Sequence, residues 1–410
     1  MNTKTYAWAA LGLSLIVPNT LVSGEYSYGS KEVYESTGVA MFEETPYTVD
    51  LYGGGSSVYN SNTTQQSDGT SAWVAIFDFG FDVESGNQGG RGFDYGFGYD
   101  GAVYWWDNTT AAADRDPFEH RLDGYVQVSG GKTRFRIGSD FYRNNGNAMD
   151  FVNANREARS AQSNEWGVNA SLVRDLSRGS FEVGAAYNMS DFDAGPGLND
   201  QNGYLVDFAL FHRFAGAPKT SYGVGFRFGS DDSSGNVDHD FHTTSIRWRY
   251  QASSKTSAFS SLGLENRSRP IGTGRSTATG DVDNFVFDAG FKWQVSPKTG
   301  LDLYVTRNVK PSYFGVNSDY ESLAGVAQVS HNLPGLYTLD ARVGFENAEY
   351  NNGREDDFIR LGLSVSRPVS LSQGLNGSVS VFYNYNDNDS SETFVSFDQT
   401  LAGVRFGLVY

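Results

Sequence analysis

The sequence contains no cysteine, which excludes disulfides and thiolate metal or redox sites and suits a chain that crosses an oxidising compartment. Histidine is scarce. His120, His212, His239, His242 and His331 fall in separate segments, and only His239 and His242, next to Asp238 and Asp240, come near a His-Asp pairing, with no second acidic pair beside them. Basic residues are few: 31 Lys and Arg stand against 48 Asp and Glu, for a net charge of -17. That balance lacks the basic clusters phosphate contacts need, so nucleic acid is not an expected partner. No G-x-S-x-G, H-E-x-x-H or phosphate-cradling glycine loop is present. The sequence therefore points to no enzyme, no catalytic residue, no metal and no cofactor. Past residue 24 no window is apolar for the ~20 residues a membrane helix requires, so any membrane residence has to come from strands.

What the chain does have is 48 glycines, 24 tyrosines and 29 phenylalanines, an aromatic share of 15% with a negative mean hydropathy. Soluble domains rich in aromatics bury them behind aliphatic runs, whereas here apolar residues are interleaved with polar ones. Met1 to Gly24 reads as a secretion signal: Lys4 gives a basic start, Tyr6 to Val17 an apolar core, and Val22-Ser-Gly24 a small-residue exit. Residues 25–45 are acidic and do not alternate; they read as a periplasmic N-terminal extension or a partial plug.

From Pro46 to Tyr410 the sequence alternates between apolar and polar residues in eighteen segments, from Tyr47 to Ser57 through to Ser396 to Tyr410. Strand side chains alternate with period two, so each segment has one apolar face. Outward sets read Trp73, Ala75, Phe77, Phe79, Phe81, or Tyr222, Val224, Phe226, Phe228, or Phe285, Phe287, Ala289, Phe291, Trp293. Connections after even-numbered segments are short and rich in turn formers, such as Gly130-Gly131, Ser177-Arg178, Pro297-Lys298 and Pro334-Gly335. Those after odd-numbered segments are longer, up to Asn144 to Gln162. Short turns on one rim, long loops on the other and an even strand count describe an all-β, transmembrane antiparallel β-barrel of about 18 strands in the bacterial outer membrane, with short periplasmic turns and long extracellular loops. Trp105, Trp106, Trp166 and Trp293 are expected at headgroup level. The last segment puts Ala402, Val404, Phe406, Leu408 and Tyr410 on one face. A terminal strand ending on an aromatic resembles the assembly signal of outer-membrane barrels, which makes the barrel-assembly machinery and outer-membrane lipid expected partners.

The opposite faces should line the interior. Arg134, Arg136, Arg227, Arg247, Arg249, Arg342, Arg360 and Arg405 share that register with Asp78, Asp82, Asp94, Asp207, Asp288, Asp302 and Asp340. A barrel of this size leaves an aqueous channel, and charged rings in a pore select by sign. Both signs occur, so the charges either contact anionic or sugar-like solutes or pair with one another, Asp340 and Arg342 being two residues apart. The expected loops Asp191 to Asp200, Ser230 to Asp238, Arg267 to Val282 and Asp387 to Thr393 are acidic. The runs Asn386-Asp-Asn-Asp389 and Asp231-Asp232 to Asp240 offer oxygens to Ca²⁺ but lack a calcium-loop spacing; they read as solvated surface.

The Tyr-Asn-Ser-Asn run at Tyr59 to Asn62, the Ser-Pro-Lys-Thr-Gly hairpin at Ser296 to Gly300 and the closing Phe397 to Tyr410 resemble the β-barrel porin 2 family, over nearly the whole mature chain. Asn60-Ser-Asn62 departs from the Asp-Asn pair that often follows that family's first strand. The resemblance implies an outer-membrane barrel, and some members resemble components of exopolysaccharide secretion. The expected function is a porin-like channel for passive diffusion of small hydrophilic solutes. The alternatives are passage of an exported polysaccharide, or a structural or adhesin barrel. Circular dichroism of the purified protein should be β-dominated and should require detergent or lipid to persist. A helical spectrum, or a monodisperse fold without amphiphile, would refute the strand assignment.

Overall fold

A computed structural model describes residues 47–63, 69–85, 92–108, 116–145, 162–193, 199–233, 239–270, 279–312, 319–372, 375–393 and 395–409. The expected signal and extension, residues 1–24 and 25–45, lie outside them. The strands are β1 Tyr47–Asn60, β2 Ala72–Ser85, β3 Gly92–Trp106, β4 Phe118–Gly130, β5 Thr133–Asn145, β6 Gln162–Leu176, β7 Gly179–Phe192, β8 Gln201–Arg213 and β9 Thr220–Ser233. They continue as β10 His239–Ser253, β11 Thr256–Pro270, β12 Thr279–Ser296, β13 Thr299–Pro311, β14 Asp319–Asn332, β15 Thr338–Tyr350, β16 Glu355–Ser372, β17 Leu375–Ser390 and β18 Phe397–Val409. Each pairs antiparallel with its sequence neighbours, and β1 also pairs with β18, so the eighteen-stranded sheet closes on itself. No helix occurs among the described residues, and hence none long and apolar enough to cross a membrane.

The closing seam runs from Tyr52 opposite Val409 to Asn60 opposite Leu401. It demands a close backbone approach: a Cβ on Gly403 would lie 2.5 Å from the Ser57 carbonyl oxygen. Every strand keeps its two faces. On β2, Trp73, Phe77 and Phe79 are exposed while Val74, Ile76 and Asp78 between them are buried. The exposed set forms an apolar band around the barrel, reaching 69% exposure at Ile246 and 67% at Leu264. A water-soluble protein leaves no such continuous apolar belt uncovered, whereas a sheet without edges can carry one into hydrocarbon with every amide paired.

Three features depart from the sequence reading. Trp106 faces inward, opposite Val74 and stacked on Tyr104 at 5.9 Å. Adjacent strand residues cannot share a face, so of Trp105 and Trp106 only Trp105, 55% exposed, belongs to the outer belt. Asp231, Asp232, Arg267 and Asp387 to Asp389, expected in loops, lie on β9, β11 and β17. The hydrogen-bond ladder runs on past the apolar belt, because above it water solvates the side chains and nothing ends the pairing. The β15–β16 connection, residues 351–354, is a tight turn closed by Gly353 N–H on Tyr350 O at 3.0 Å, so the contrast between rims is not uniform. Most of the Asn144 to Gln162 loop lies outside the described residues. Ile246→Arg should cost about 2–4 kcal/mol if that residue meets lipid near the midplane. Reversible unfolding from lipid vesicles measures this, and an unchanged midpoint would place the side chain in water.

Candidate functional site: the inner wall from β7 to β13

Contacts that skip a strand form on the concave side of a curved sheet, and they identify the inner face. Arg247 of β10 reaches across β9 to Asp207 of β8, with Nη1 donating to Oδ2 at 2.7 Å and Nη2 to Oδ1. The path exists because β9 has no side chain at Gly225, where a Cβ would sit 2.2 Å from Arg247 Nε. Arg249 spans two strands to Glu182 of β7, bidentate at 2.7 and 2.9 Å, its guanidinium 3.8 Å over the Phe211 ring. Arg227 of β9 brings Nε to 3.5 Å from Asp207, just beyond a well-formed hydrogen bond, and this nitrogen is buried without a hydrogen-bond partner. Two arginines thus converge on one fully buried aspartate.

A mirror-image group lies next to it toward the outer rim. Arg267 of β11 is shared by Asp231 of β9 at 2.8 Å and Glu265 at 2.9 Å, with its guanidinium 4.4 Å over Phe241. Arg247, Asp207, Arg267 and Glu265 are all nearly excluded from solvent. Bidentate geometry and aromatic faces offset the cost of holding these charges out of water. Between the groups, a small recess is lined by Arg227, Thr243, Ser245, Arg247, Ser261, Glu265, Val286, Asp288, Arg307 and Asn308. Asp288 Oδ1 accepts the Tyr304 hydroxyl at 3.1 Å and the Thr306 hydroxyl at 2.7 Å.

The other expected inward residues are spread around the wall. Arg136 stacks 4.1 Å over Tyr125, and Arg134 stands opposite Ser129. Asp94 accepts from Gln127 at 3.3 Å. The Asp78 carboxylate lies over Gly54, and that of Asp82 over Gly98 beside Asp123. Asp302 pairs with Lys292 at 3.5 Å. Arg342 donates to Gln328 at 2.7 Å, while Asp340 stands opposite Ser330. Arg360 lies 3.8 Å from Glu346 and over the Phe358 ring, and Arg405 over Phe382. On β18, Val404 and Phe406 are exposed on the outer face with Leu408 in the same register; Tyr410 lies outside the described residues.

Sequence reasoning omitted Glu182, Glu265 and Glu346, although period two placed all three on the inner faces, and it assigned Arg267 to a loop. It also missed an apolar interior patch of Val58, Val74, Ile76, Tyr104, Phe382 and Leu401 on β1, β2, β3, β17 and β18, so the inner wall is not polar throughout. His239 is buried inside and His242 lies on the outer face. Three residues apart on one strand, they point to opposite sides and form no dyad. Among the described residues no group of three or more His, Asp or Glu is placed to hold a metal ion.

The fold defines a class: closed eighteen-stranded antiparallel barrels with an apolar exterior and a charged interior, an architecture that fits a porin. No family model and no curated protein matches the sequence. Among solved structures the chain is similar to a BenF-like porin from Pseudomonas fluorescens Pf-5, at 11% identity and a TM-score of 0.47, covering 89% of this chain and 99% of that one. It is similar to OccK2 (OpdF) of Pseudomonas aeruginosa, crystallised with glucuronate, at 12% identity and a TM-score of 0.46, covering 90% and 100%. Acinetobacter baumannii OccAB2 gives 13% identity and a TM-score of 0.46, covering 88% and 97%. Likeness at this level bears on neither solute nor mechanism.

Removing the shared carboxylate tests the paired wall. Asp207→Asn should cost about 3–5 kcal/mol, because it leaves Arg247 buried, and Arg227 half-buried, without a counter-charge. Denaturant unfolding in detergent reads the change, and an unaltered midpoint would mean that both guanidinium groups reach water.

Proposed function

We propose that the protein is a porin-like channel of the bacterial outer membrane, passing small hydrophilic solutes by passive diffusion without chemistry of its own. One observation carries this reading: a sheet closed on itself wears large apolar side chains outside and paired charges with a small recess inside. The belt belongs in lipid, and eighteen strands are enough to leave an aqueous lumen. The resemblance of Tyr59 to Asn62, Ser296 to Gly300 and Phe397 to Tyr410 to the β-barrel porin 2 family points the same way. On this reading residues 1–24 direct secretion, 25–45 remain periplasmic, and Val404, Phe406, Leu408 and Tyr410 present the terminal strand to the assembly machinery. The inner charges Arg134, Arg136, Arg227, Arg247, Arg249, Arg342, Arg360, Arg405, Asp78, Asp82, Asp207, Asp288, Asp302 and Asp340 line the pore. Because so many face an opposite charge or a hydrogen-bond acceptor, ion selectivity should be weak. In planar bilayers the purified protein should give discrete conductance steps, with a reversal potential near zero in a salt gradient. Absence of steps from correctly folded protein would refute the channel, and a large reversal potential would refute only the weak selectivity.

A further inference from the structure

The sheet closes on itself, but its wall is not knit to the same height all round. The β12–β13 ladder stops at Phe287 opposite Arg307. Both strands run on beyond it: β12 from Val286 back to Thr279, paired only with β11, and β13 from Asn308 to Pro311, paired only with β14. Among the described residues no other neighbouring strands both continue so far without pairing. The end of β13 leans into the bore, where the carbonyl of Ser312, the next residue, accepts Gln201 Nε2 of β8 at 2.9 Å. Two consecutive residues show that the parting goes through the wall. Arg307 faces outward, opposite the exposed Leu323 and 2.8 Å from Glu321. Asn308 faces inward, opposite the buried Ser322. Both nevertheless line the small recess that Arg227, Ser261 and Asp288 also border. One recess can touch both faces of a strand only where the neighbouring strand has left its edge bare. Asn308 carries the consequence, since neither its Nδ2 nor its Oδ1 has a hydrogen-bond partner.

The parting borders the apolar belt, with Phe285 exposed on the unpaired stretch of β12 opposite Leu264. Strand backbone without ladder partners is tolerated at such depth only where protein buries it or water reaches it. In this structure the recess has room for about one water, so the wall is nearly shut. Widening it breaks no ladder bond between Asp283–Val286 and Asn308–Pro311, because none is formed there, and segments held by few bonds open most readily. The two sides differ in chemistry. Ser261, Asp288 and Asn308 stand inside, and Phe285, Leu264, Leu303 and Leu323 outside. We propose that this parting is a side opening from the bore to the outer leaflet, and that it takes neutral amphiphiles. The polar head rests in the recess and the alkyl chain passes between β12 and β13 into lipid. A charged head meets its own sign, since Arg227, Arg247 and Arg307 line the recess together with Glu265 and Asp288. This rests on the channel function proposed above, which makes the end of the barrel away from the Pro297-Lys298 turn the extracellular one, and adds to it a solute class and a second exit.

Octyl glucoside below its micelle concentration serves as the probe, with glucose as its head alone, in single-channel recordings of the full-length protein. Octyl glucoside should interrupt the current at a concentration about tenfold lower than glucose does. Val286 and Asn308 are the next pair in register if the ladder is continued, and the chain has no cysteine of its own. Val286→Cys combined with Asn308→Cys therefore allows one disulfide, which seals the parting. In the oxidised form octyl glucoside should lose its advantage over glucose, and reduction should restore it. Val286→Trp, which fills the recess from the bore side, should remove the same advantage without a crosslink and so decides the matter even if the pair does not oxidise. Heat-modifiable migration on gels checks that each barrel is closed. If the channel conducts but octyl glucoside blocks no better than glucose, the side opening is refuted while the channel reading stands. The same holds if its advantage survives both sealing and filling, the chain then lodging on the inner apolar patch around Val74 and Phe382. If folded protein gives no conductance at all, both readings fall together.

Discussion

The barrel depends on one constraint: a strand in hydrocarbon must place every amide hydrogen and carbonyl in a hydrogen bond, because no water is there to take them. Seventeen hairpin pairings meet that demand for neighbours in the chain. The last pairing joins the two ends of the sequence. It is shorter than its neighbour, since β1 matches β2 along its whole length but β18 only from Tyr52 to Asn60. Side chains extend it: Gln399 donates to Asn60 Oδ1 at 3.1 Å and to the Asn62 carbonyl at 2.9 Å, and Thr400 N–H reaches the Ser61 hydroxyl at 2.7 Å. Glycine at position 403 lets the backbones close up where the contact is tightest.

Closure also fixes what the inner wall can do. Concavity lets long side chains meet across an intervening strand, as Arg247 does over Gly225 and Arg249 over β8 and β9. Each such bond ties strands that the ladder joins only indirectly, and it holds charges in a low-exposure wall where alone they would be costly. An odd number of charges in each group leaves a remainder. In a narrow aqueous space bounded by protein such remainders act at closer range and with less screening than on an open surface. The wall is therefore strong as structure and mild as a field.

Much of this was legible in the sequence for a simple reason. Period two is geometric, and lipid tolerates only apolar residues on its face, so Trp73, Phe77, Phe226 and Phe285 announced the outside, and Arg227, Arg247 and Asp207 the inside. Strand number followed from the turn formers between segments. Strand ends were less visible, because Asp231, Arg267 and Asp387 lie where the apolar signal has stopped and the backbone pairing has not. Trp106 was misplaced by composition, which marks a tryptophan pair as interfacial, whereas parity allows one of the two outside.

The sequence by itself determined the fold class, the strand count and the face of most residues within the apolar belt, because these follow from local alternation and turn chemistry. Only the tertiary structure decided which inner charges meet. Arg342 bonds to Gln328 although Asp340 is its near neighbour in sequence, and Arg247 finds Asp207 forty residues away. That choice depends on the stagger of each strand against the next and on a glycine gap in the strand between, and both are properties of the closed sheet rather than of any segment.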